Sequence, residues 1–324
     1  MRSYIIKRIL IMIPLLLGIT IITFILMSLA PGDPVMMFID IEKGPPSPEE
    51  IARVRAILGL DQSIPVRYVK WLGGVIKGDL GYSMFSRQPV MYEIKVRIGT
   101  TITLSLLSMA VSFIFGMLVG VICALNQYKL IDYILSVTAF IGLSIPGFWL
   151  AMMLILIFTN TLKWLPSVGL TDVSLVNPTF FQSFADRARH LIMPVLAMSL
   201  SSIGGWARYQ RASYLEVINQ DYIRTARSKG LGERVIIVRH ALRNSALPII
   251  TILGGALPGL IGGAFLIENI FGLPGMGRLG TMAIMSRDYP IIMGVTLFSS
   301  ILVMLGTFLS DILYAVVDPR IRYN

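Results

Sequence analysis

Residues 100–125 read TTITLSLLSMAVSFIFGMLVGVICAL, a run without a charged side chain. A helix needs about 20 apolar residues to cross the hydrocarbon core of a bilayer, and this run is long enough. Five further apolar runs lie at residues 9–30, 132–160, 191–207, 247–270 and 290–317. Because lipid offers no hydrogen-bond partner to a bare backbone, each run is expected to be helical. The sequence therefore predicts an all-α integral membrane protein with about six transmembrane helices.

The composition supports a membrane protein. The 324 residues are 55% hydrophobic and only 14% charged, whereas soluble domains carry about 25% charged residues. The net charge is +10, but the basic residues lie beside the apolar runs, which favours membrane orientation over nucleic-acid binding. The first run, about 22 residues long, exceeds the ~7–15-residue core of a signal peptide, so we predict an uncleaved first span.

The distribution of Lys and Arg predicts that both termini face the cytoplasm. In that orientation the internal segments 1–8, 126–131, 208–246 and 318–324 carry 14 basic residues, and the shorter external segments 161–190 and 271–289 carry 5. The external segment 31–99 carries 9 more, but it is too long to count fully under the positive-inside rule.

The predicted organisation has four parts. Residues 1–30 hold the N-terminus and first span, 31–97 a small extracytoplasmic domain, 98–317 the transmembrane core, and 318–324 a cytoplasmic tail. In the extracytoplasmic part, residues 47–50 read SPEE, a capping box with proline at the first helical position, and Gly59 is expected to end that helix. A second amphipathic helix is predicted from about Pro65 to Lys77.

The segment 208–246 is basic and amphipathic. Asp221 is expected to cap a short helix over 222–229, and Gly230 to end it. A turn at Leu231 would lead into a second helix from Glu233 to about Asn244. From the residues alone, a docking projection and a helix lying on anionic lipid are equally good interpretations.

The segment 208–246 resembles the EAA loop of binding-protein-dependent ABC importer permeases, and we therefore call it the coupling loop. Residues 221–231 read DYIRTARSKGL, and HALR follows at 240–243. The general pattern is Glu-Ala-Ala, three residues, Gly, nine residues and Ile-x-Leu-Pro. Ala226, Gly230 and Leu242 match it. The departures at Arg224, His240 and Arg243 match the dipeptide, oligopeptide and nickel permease branch.

Further blocks extend the resemblance over nearly the whole chain and point to the first, B-type permease component with an ABC transmembrane type-1 fold. They are LAPGDP at 29–34, LGLD at 58–61, GDLGYS at 78–83, ENIF at 268–271, PGMG at 274–277, RDYP at 287–290 and DPRIRY at 318–323.

This resemblance implies a permease subunit that forms half of a translocation pathway, with peptides as the expected cargo. A second, related permease, two ATPase subunits and an extracytoplasmic substrate-binding protein would be its partners in a bacterial or archaeal cytoplasmic membrane. The short helix would sit in a groove of the ATPase. The implied coupling residues are Asp221, Arg224, Thr225, Ala226, Arg227, Lys229, Gly230, Leu231 and Leu242. Ala226 and Gly230 would permit close approach, and the cations would contact the ATPase.

Polar and helix-breaking residues within the spans are the candidates for the pathway. An ionisable group in lipid is costly, so Glu268 and Asp311 are candidates by default. Glu268 is equally well interpreted as a gate contact or as a hydrogen-bond acceptor for a loop. Ser144 and Pro146 interrupt the third span, and Ser201 lies in the fourth. Small residues and prolines are also explained by helix packing and kinking.

Several function classes are disfavoured. No Gly-Lys pair occurs in the sequence, so the P-loop of an ATPase is missing and the chain is expected not to be an enzyme. ATP and Mg²⁺ would be used by partner subunits, and this chain is expected to bind no cofactor or metal. An ion-coupled secondary transporter is the main alternative, but neither an inverted repeat nor several buried charges are evident. Nickel-chelate and oligosaccharide carriers share the branch, so the cargo stays open.

Overall fold

The computed structural model describes residues 2–29, 35, 47–57, 59–256 and 259–317. Within these ranges the chain forms α-helices, two π-helical segments and no strand. The helices are α1 Arg2–Leu29, α2 Pro48–Ile57, α3 Ile64–Ile76, α4 Val90–Leu125, α5 Leu130–Ser144, α6 Gly147–Leu154, α7 Phe180–Ile218, α8 Asp221–Ser228, α9 Glu233–Val235, α10 Arg243–Ala256, α11 Gly259–Ile270, α12 Met276–Met285 and α13 Tyr289–Val317. The π-helical segments are Ile155–Thr161 after α6 and Ile236–Leu242 after α9.

Four described helices are long and apolar enough to cross a membrane. They are Ile6–Leu29, Val90–Leu125, Phe180–Ile218 and Tyr289–Ile312. The bent pair that begins with α5 and α6 would add a fifth if the pair forms one span. The predicted span 247–270 falls on α10 and α11, and residues 257 and 258 between them lie outside the described part. The count of six and the orientation therefore stay predictions.

The third predicted span, 132–160, is not one continuous helix. It is bent by 101° between α5 and the helical stretch Gly147–Thr161. Pro146 cannot donate a backbone hydrogen bond, and it holds the preceding Ile145 in an extended conformation with φ −78° and ψ 124°. Ser144 and Pro146 predicted this interruption from the sequence, but the angle of the bend was not predicted.

Helix α7 is much longer than the predicted span 191–207. It begins at Phe180, because Thr179 and Gln182 form a capping box in which each side chain accepts a hydrogen bond from the other residue's backbone N–H. It continues to Ile218, so the first part of the coupling loop is an extension of this helix. Pro194 lies inside α7 without ending it.

The region between the first two predicted spans contains the two expected short helices. Ser47 Oγ accepts a hydrogen bond from the backbone N–H of Glu50 at the beginning of α2, and α3 matches the predicted amphipathic stretch. The next helix, α4, begins at Val90, ten residues before the predicted second span. The motif residues 30–34, Leu58 and the tail 318–324 lie outside the described residues.

The chain divides into two compact units, Met1–Arg97 with Leu279–Ile301, and Ile98–Arg278 with Leu302–Asn324. In the first unit the rings of Tyr68 on α3 and Phe24 on α1 make an edge contact, and Asp288 accepts hydrogen bonds from the loop at Ser83–Phe85. The core of the second unit is formed by α4, α6, α7 and α11, with Leu104, Ala151, Met193, Ala197 and Ala264 among its buried side chains. This second unit carries the coupling loop.

Candidate coupling site

Helix α8 is a two-turn helix whose ends are set by its own sequence. Gln220 occupies the N-cap position in extended conformation, and Asp221 is the first helical residue. The expectation that Asp221 is the cap is therefore wrong by one position. Its carboxylate lies in the first turn, where negative charge suits the helix dipole. At the other end Gly230 adopts φ +75°, a left-handed conformation that favours glycine.

One face of α8 is buried against the rest of the second unit. Ile223 is 0% exposed and Ala226 6% exposed, and both pack with Tyr214, Ile236 and Ala241. We expected the small side chain of Ala226 to permit close approach of a partner protein, and this is wrong. Ile223 and Ala226 are three residues apart and share a helix face, so Ala226 lets α8 approach its own chain.

The opposite face of α8 is exposed, and half of its residues are charged. It presents Asp221, Tyr222, Arg224, Thr225, Arg227 and Ser228, and the exposed Lys229, Gly230 and Leu231 follow. The Arg224 guanidinium lies 3.5 Å from the Asp221 carboxylate, and both side chains are largely exposed. The structure thus brings eight of the nine predicted coupling residues to one region, seven of them exposed. The ninth, Leu242, is half-buried and packs against the buried face.

Arg227 fixes the turn that follows α8. Its guanidinium donates to the Glu233 carboxylate across the turn, with N–O distances of 2.8 and 3.4 Å. This hydrogen bond raises the pKa of Arg227 and lowers the pKa of Glu233. Since the pair is exposed to solvent, its effect on stability is at most about 1 kcal/mol. The ion pair closes the turn that contains the exposed Lys229.

The second helix of the coupling loop does not end near Asn244 as predicted. From Glu233 the chain runs through α9 and the π-helical segment into α10 without interruption. Buried polar contacts join α10 to α7: Gln210 Nε2 donates to Ser245 Oγ at 3.0 Å, and Ser213 Oγ donates to the Ser245 carbonyl at 2.9 Å. Because α8 packs against α7 and against the π-helical segment that continues into α10, movement of α8 would be transmitted to both helices.

Glu268 accepts hydrogen bonds from α4 and from the first turn of α12. Its carboxylate, 0% exposed, accepts from Thr101 Oγ1 at 2.5 Å and from the backbone N–H groups of Gly277 and Arg278 at 2.7 and 3.2 Å. The two N–H groups belong to the first turn of α12, where an anion is stabilised. A side chain at Gly275 would collide with this carboxylate.

The other pathway candidates lie apart from Glu268. Ser144 and Pro146 are at the break between α5 and α6, where they line an open, largely apolar cavity of about 550 Å³. Ser144 Oγ donates to the Phe140 carbonyl at 3.0 Å. Ser201 is half-buried in α7 and donates to the Met198 carbonyl at 3.5 Å. These are local hydrogen bonds, so a role for the four residues in a pathway stays a prediction.

A buried ion pair between α5 and α7 was missed by the sequence reasoning. Asp132 is 3% exposed, and both of its carboxylate oxygens accept from Arg211, at 2.9 and 2.7 Å. Asp132 also accepts from the backbone N–H of Tyr128 at 3.1 Å. An acid at the beginning of an apolar run was the available signal. Its partner lies 79 residues further along the chain, at a separation that no local pattern reveals.

No potential metal site is found in the described ranges, because no three His, Cys, Asp or Glu side chains come together there. His190 contacts its own helix: Nδ1 lies 3.2 Å from the Asp186 carboxylate and 2.9 Å from the Asp186 carbonyl. His240 lies in the π-helical segment.

Residues 116–323 match the family described as the inner membrane component of binding-protein-dependent transport systems, and residues 1–106 match the N-terminal family of such components. The chain belongs to this family. The permease is 42% identical to the oligopeptide transport system permease protein AppB of Bacillus subtilis (strain 168), over 100% of both chains. It is 40% identical to a putative peptide permease protein of Brucella suis biovar 1 over 99% of both, and 38% identical to the glutathione transport system permease protein GsiC of Pectobacterium atrosepticum over 100% of both.

Solved ABC transporters share the fold of the permease. The methionine ABC transporter MetNI in inward-facing conformations aligns with a TM-score of 0.52 at 18% identity, covering 70% of this chain and 97% of that one. An amino acid ABC transporter crystallised with histidines aligns with a TM-score of 0.51 at 13% identity, covering 70% and 94%. The permease is therefore a multi-pass membrane protein with the helical fold of ABC permeases.

Proposed function

We propose that this permease forms half of the translocation pathway of an ABC importer for peptides in a bacterial or archaeal cytoplasmic membrane. A second, non-identical permease, two ATPase subunits and an extracytoplasmic substrate-binding protein would complete the importer. The peptide cargo is inferred from relatives at about 40% identity that are named for oligopeptide, peptide and glutathione transport. Nickel chelates and short oligosaccharides are the alternative cargoes of the same branch.

The observation that carries the proposal is the two-sided construction of α8. Its inner face, Ile223 and Ala226, is anchored in the core of its own unit, while Arg224, Arg227 and Lys229 are exposed. A helix held in this way can transmit a push from a partner to α7 and to the π-helical segment Ile236–Leu242, against which it packs, and through that segment to α10, which continues from it. ATP binding and hydrolysis in the ATPase would thus bias the permease between two states. The permease itself would contribute no ATPase chemistry.

Removal of exposed charge from α8 tests the docking role. We expect Arg224→Gln/Lys229→Gln to lower recovery of the ATPase with the purified permease about tenfold, because two interfacial cations lose their contacts. Gly230→Asp is expected to act in the same direction, since it places a residue with a side chain at φ +75° and adds an acid. Both variants should reduce ATP-driven peptide uptake in proteoliposomes in proportion.

The matched control is Lys163→Gln/Arg187→Gln, which removes two exposed cations from the predicted external segment 161–190. It should leave ATPase recovery unchanged. The docking role would be rejected if both α8 variants retained ATPase and transported peptide as well as this control. Ligand titration of the partner binding protein with peptides, nickel chelates and oligosaccharides would then identify the cargo independently of docking.

A further inference from the structure

A pocket of about 240 Å³ lies in the first unit between α1, α3 and the beginning of α13. Phe24 and Met27 line it from the last two turns of α1, and Met293 from the first turns of α13. Both helices are candidate membrane spans, one ending at Leu29 and the other beginning at Tyr289. The pocket is therefore at the level where spans meet the lipid headgroups.

Helix α3 closes the pocket with polar and aromatic side chains. It is fixed to α1 by the hydrogen bond between Tyr68 Oη and Thr20 Oγ1, 3.0 Å long, and by the edge contact of the Phe24 and Tyr68 rings at 5.5 Å. Tyr and Trp are the residues typical of the membrane–water interface. Trp71, one turn further along α3, lines the pocket.

The pocket is positively charged, and none of the described residues that line it is acidic. The positive charge comes from Arg67 and Lys70, which line the pocket from α3. The Arg67 guanidinium lies 5.6 Å from the centre of the Phe24 ring. Burial lowers the pKa of Arg67, an effect that Tyr289 only partly opposes. The nearby Asp288 carboxylate already accepts hydrogen bonds from Ser83 and from the backbone N–H groups of Met84 and Phe85.

One of the side chains that line the pocket carries a donor that is unused within the described part of the chain. Trp71 Nε1 is buried there and has no hydrogen-bond partner. A buried N–H without a partner is costly, by about 1–3 kcal/mol. A small rotation of the Trp71 side chain toward the pocket would let an acceptor oxygen bound there satisfy this group and, at the same time, meet the two cations.

We propose that this pocket binds the phosphate group of an anionic phospholipid. Arg67, Lys70 and Trp71 Nε1 would contact the phosphate oxygens, and the acyl chain would run along Phe24 and Met27 of α1. The apolar lining and the headgroup-level position favour a lipid over a free phosphate ion, which has no apolar part. This inference is independent of the cargo and of docking by α8.

Fluorescence quenching by lipids with brominated acyl chains tests the site in the assembled importer in detergent. The Trp71 contribution is the difference between wild type and Trp71→Phe. We expect phosphatidylglycerol to quench it at a mole fraction at least about tenfold below that needed with phosphatidylcholine of the same chains. Arg67→Gln/Lys70→Gln should raise the required phosphatidylglycerol about 25-fold, since each cation contributes about fivefold.

The control Arg53→Gln/Lys77→Gln removes two exposed cations of the same unit that do not line the pocket, and it should shift the titration less than about twofold. Arg67→Lys should keep the preference for phosphatidylglycerol. If Arg67→Gln/Lys70→Gln fails to assemble, the two single variants Arg67→Lys and Lys70→Gln are compared instead, and only Lys70→Gln should raise the required phosphatidylglycerol. Equal quenching by both lipids, or a wild-type response in Arg67→Gln/Lys70→Gln, would overturn the proposal. Displacement by excess inorganic phosphate would also overturn it, because the site would then be one for a free anion.

Discussion

Glu268 shows how a single buried carboxylate can organise the end of a helix. It connects Thr101 of α4 with the first turn of α12. Glu268→Gln would replace one carboxylate oxygen with an amide N–H₂, so at least one of the three groups that donate to Glu268 would lose its acceptor. We expect a loss of about 1–3 kcal/mol in the free energy of unfolding, measured by thermal unfolding of the purified permease. Exposed Glu216 gives the matched control, Glu216→Gln, which should have no effect. Unchanged stability combined with lost transport would contradict this structural role and favour a gate.

Single residues were predictable where their effect is local. Gly230 ends α8 as expected, because a left-handed residue after a helix is a property of the immediate sequence. The burial of Ala226 could also have been predicted, because Ile223, three residues earlier, lies on the same helix face and marks that face as apolar. The partners of Glu268 could not, because Thr101 is 167 residues away and the acid itself gives no sign of which donors surround it.

The Asp132–Arg211 pair belongs to the scale of helices, because it fixes α5 against α7. Arg211 is 29% exposed at its side chain and Asp132 4%. Asp132→Asn should therefore cost on the order of 2–3 kcal/mol, somewhat below the ~3–5 kcal/mol of a fully buried pair that loses one partner. In a double-mutant cycle with Arg211→Gln, measured by thermal unfolding, the double variant should lose less than the two single variants together.

The matched control for this cycle is Asp172→Asn, which neutralises an exposed acid outside α5 and α7 and should leave stability unchanged. Strict additivity of Asp132→Asn and Arg211→Gln would contradict the importance of the ion pair, because independent sites are expected to add.

Helices were easier to predict than their ends. Apolar runs identify α1, α4, α7 and α13 as span candidates, because lipid exposure requires them. The beginning of α7 was missed although Thr179 and Gln182 form a recognisable capping box. The size of the bend at Pro146 was not predictable, since proline fixes where a helix breaks and the surrounding helices fix the direction of the next segment.

At the scale of the whole molecule, the source of energy separates the proposed importer from an ion-coupled transporter. We expect peptide uptake by proteoliposomes that contain the complete importer to persist after an ionophore dissipates the ion gradients. It should stop when the partner ATPase carries a substitution that blocks hydrolysis. The reverse pattern would contradict ATP coupling and favour the alternative class of secondary transporter.

The most direct test of the account asks on which side of the membrane α8 lies and what covers it. Thr225 is exposed on α8, and the sequence has a single cysteine, Cys123. In a Cys123→Ala background, a membrane-impermeant thiol reagent should label Thr225→Cys only in inside-out vesicles, and co-expressed ATPase should protect it. Ser174→Cys, exposed in the predicted external segment, should label only in right-side-out vesicles. Labelling of Thr225→Cys from the outside, or equal labelling with and without ATPase, would contradict the coupling role of α8.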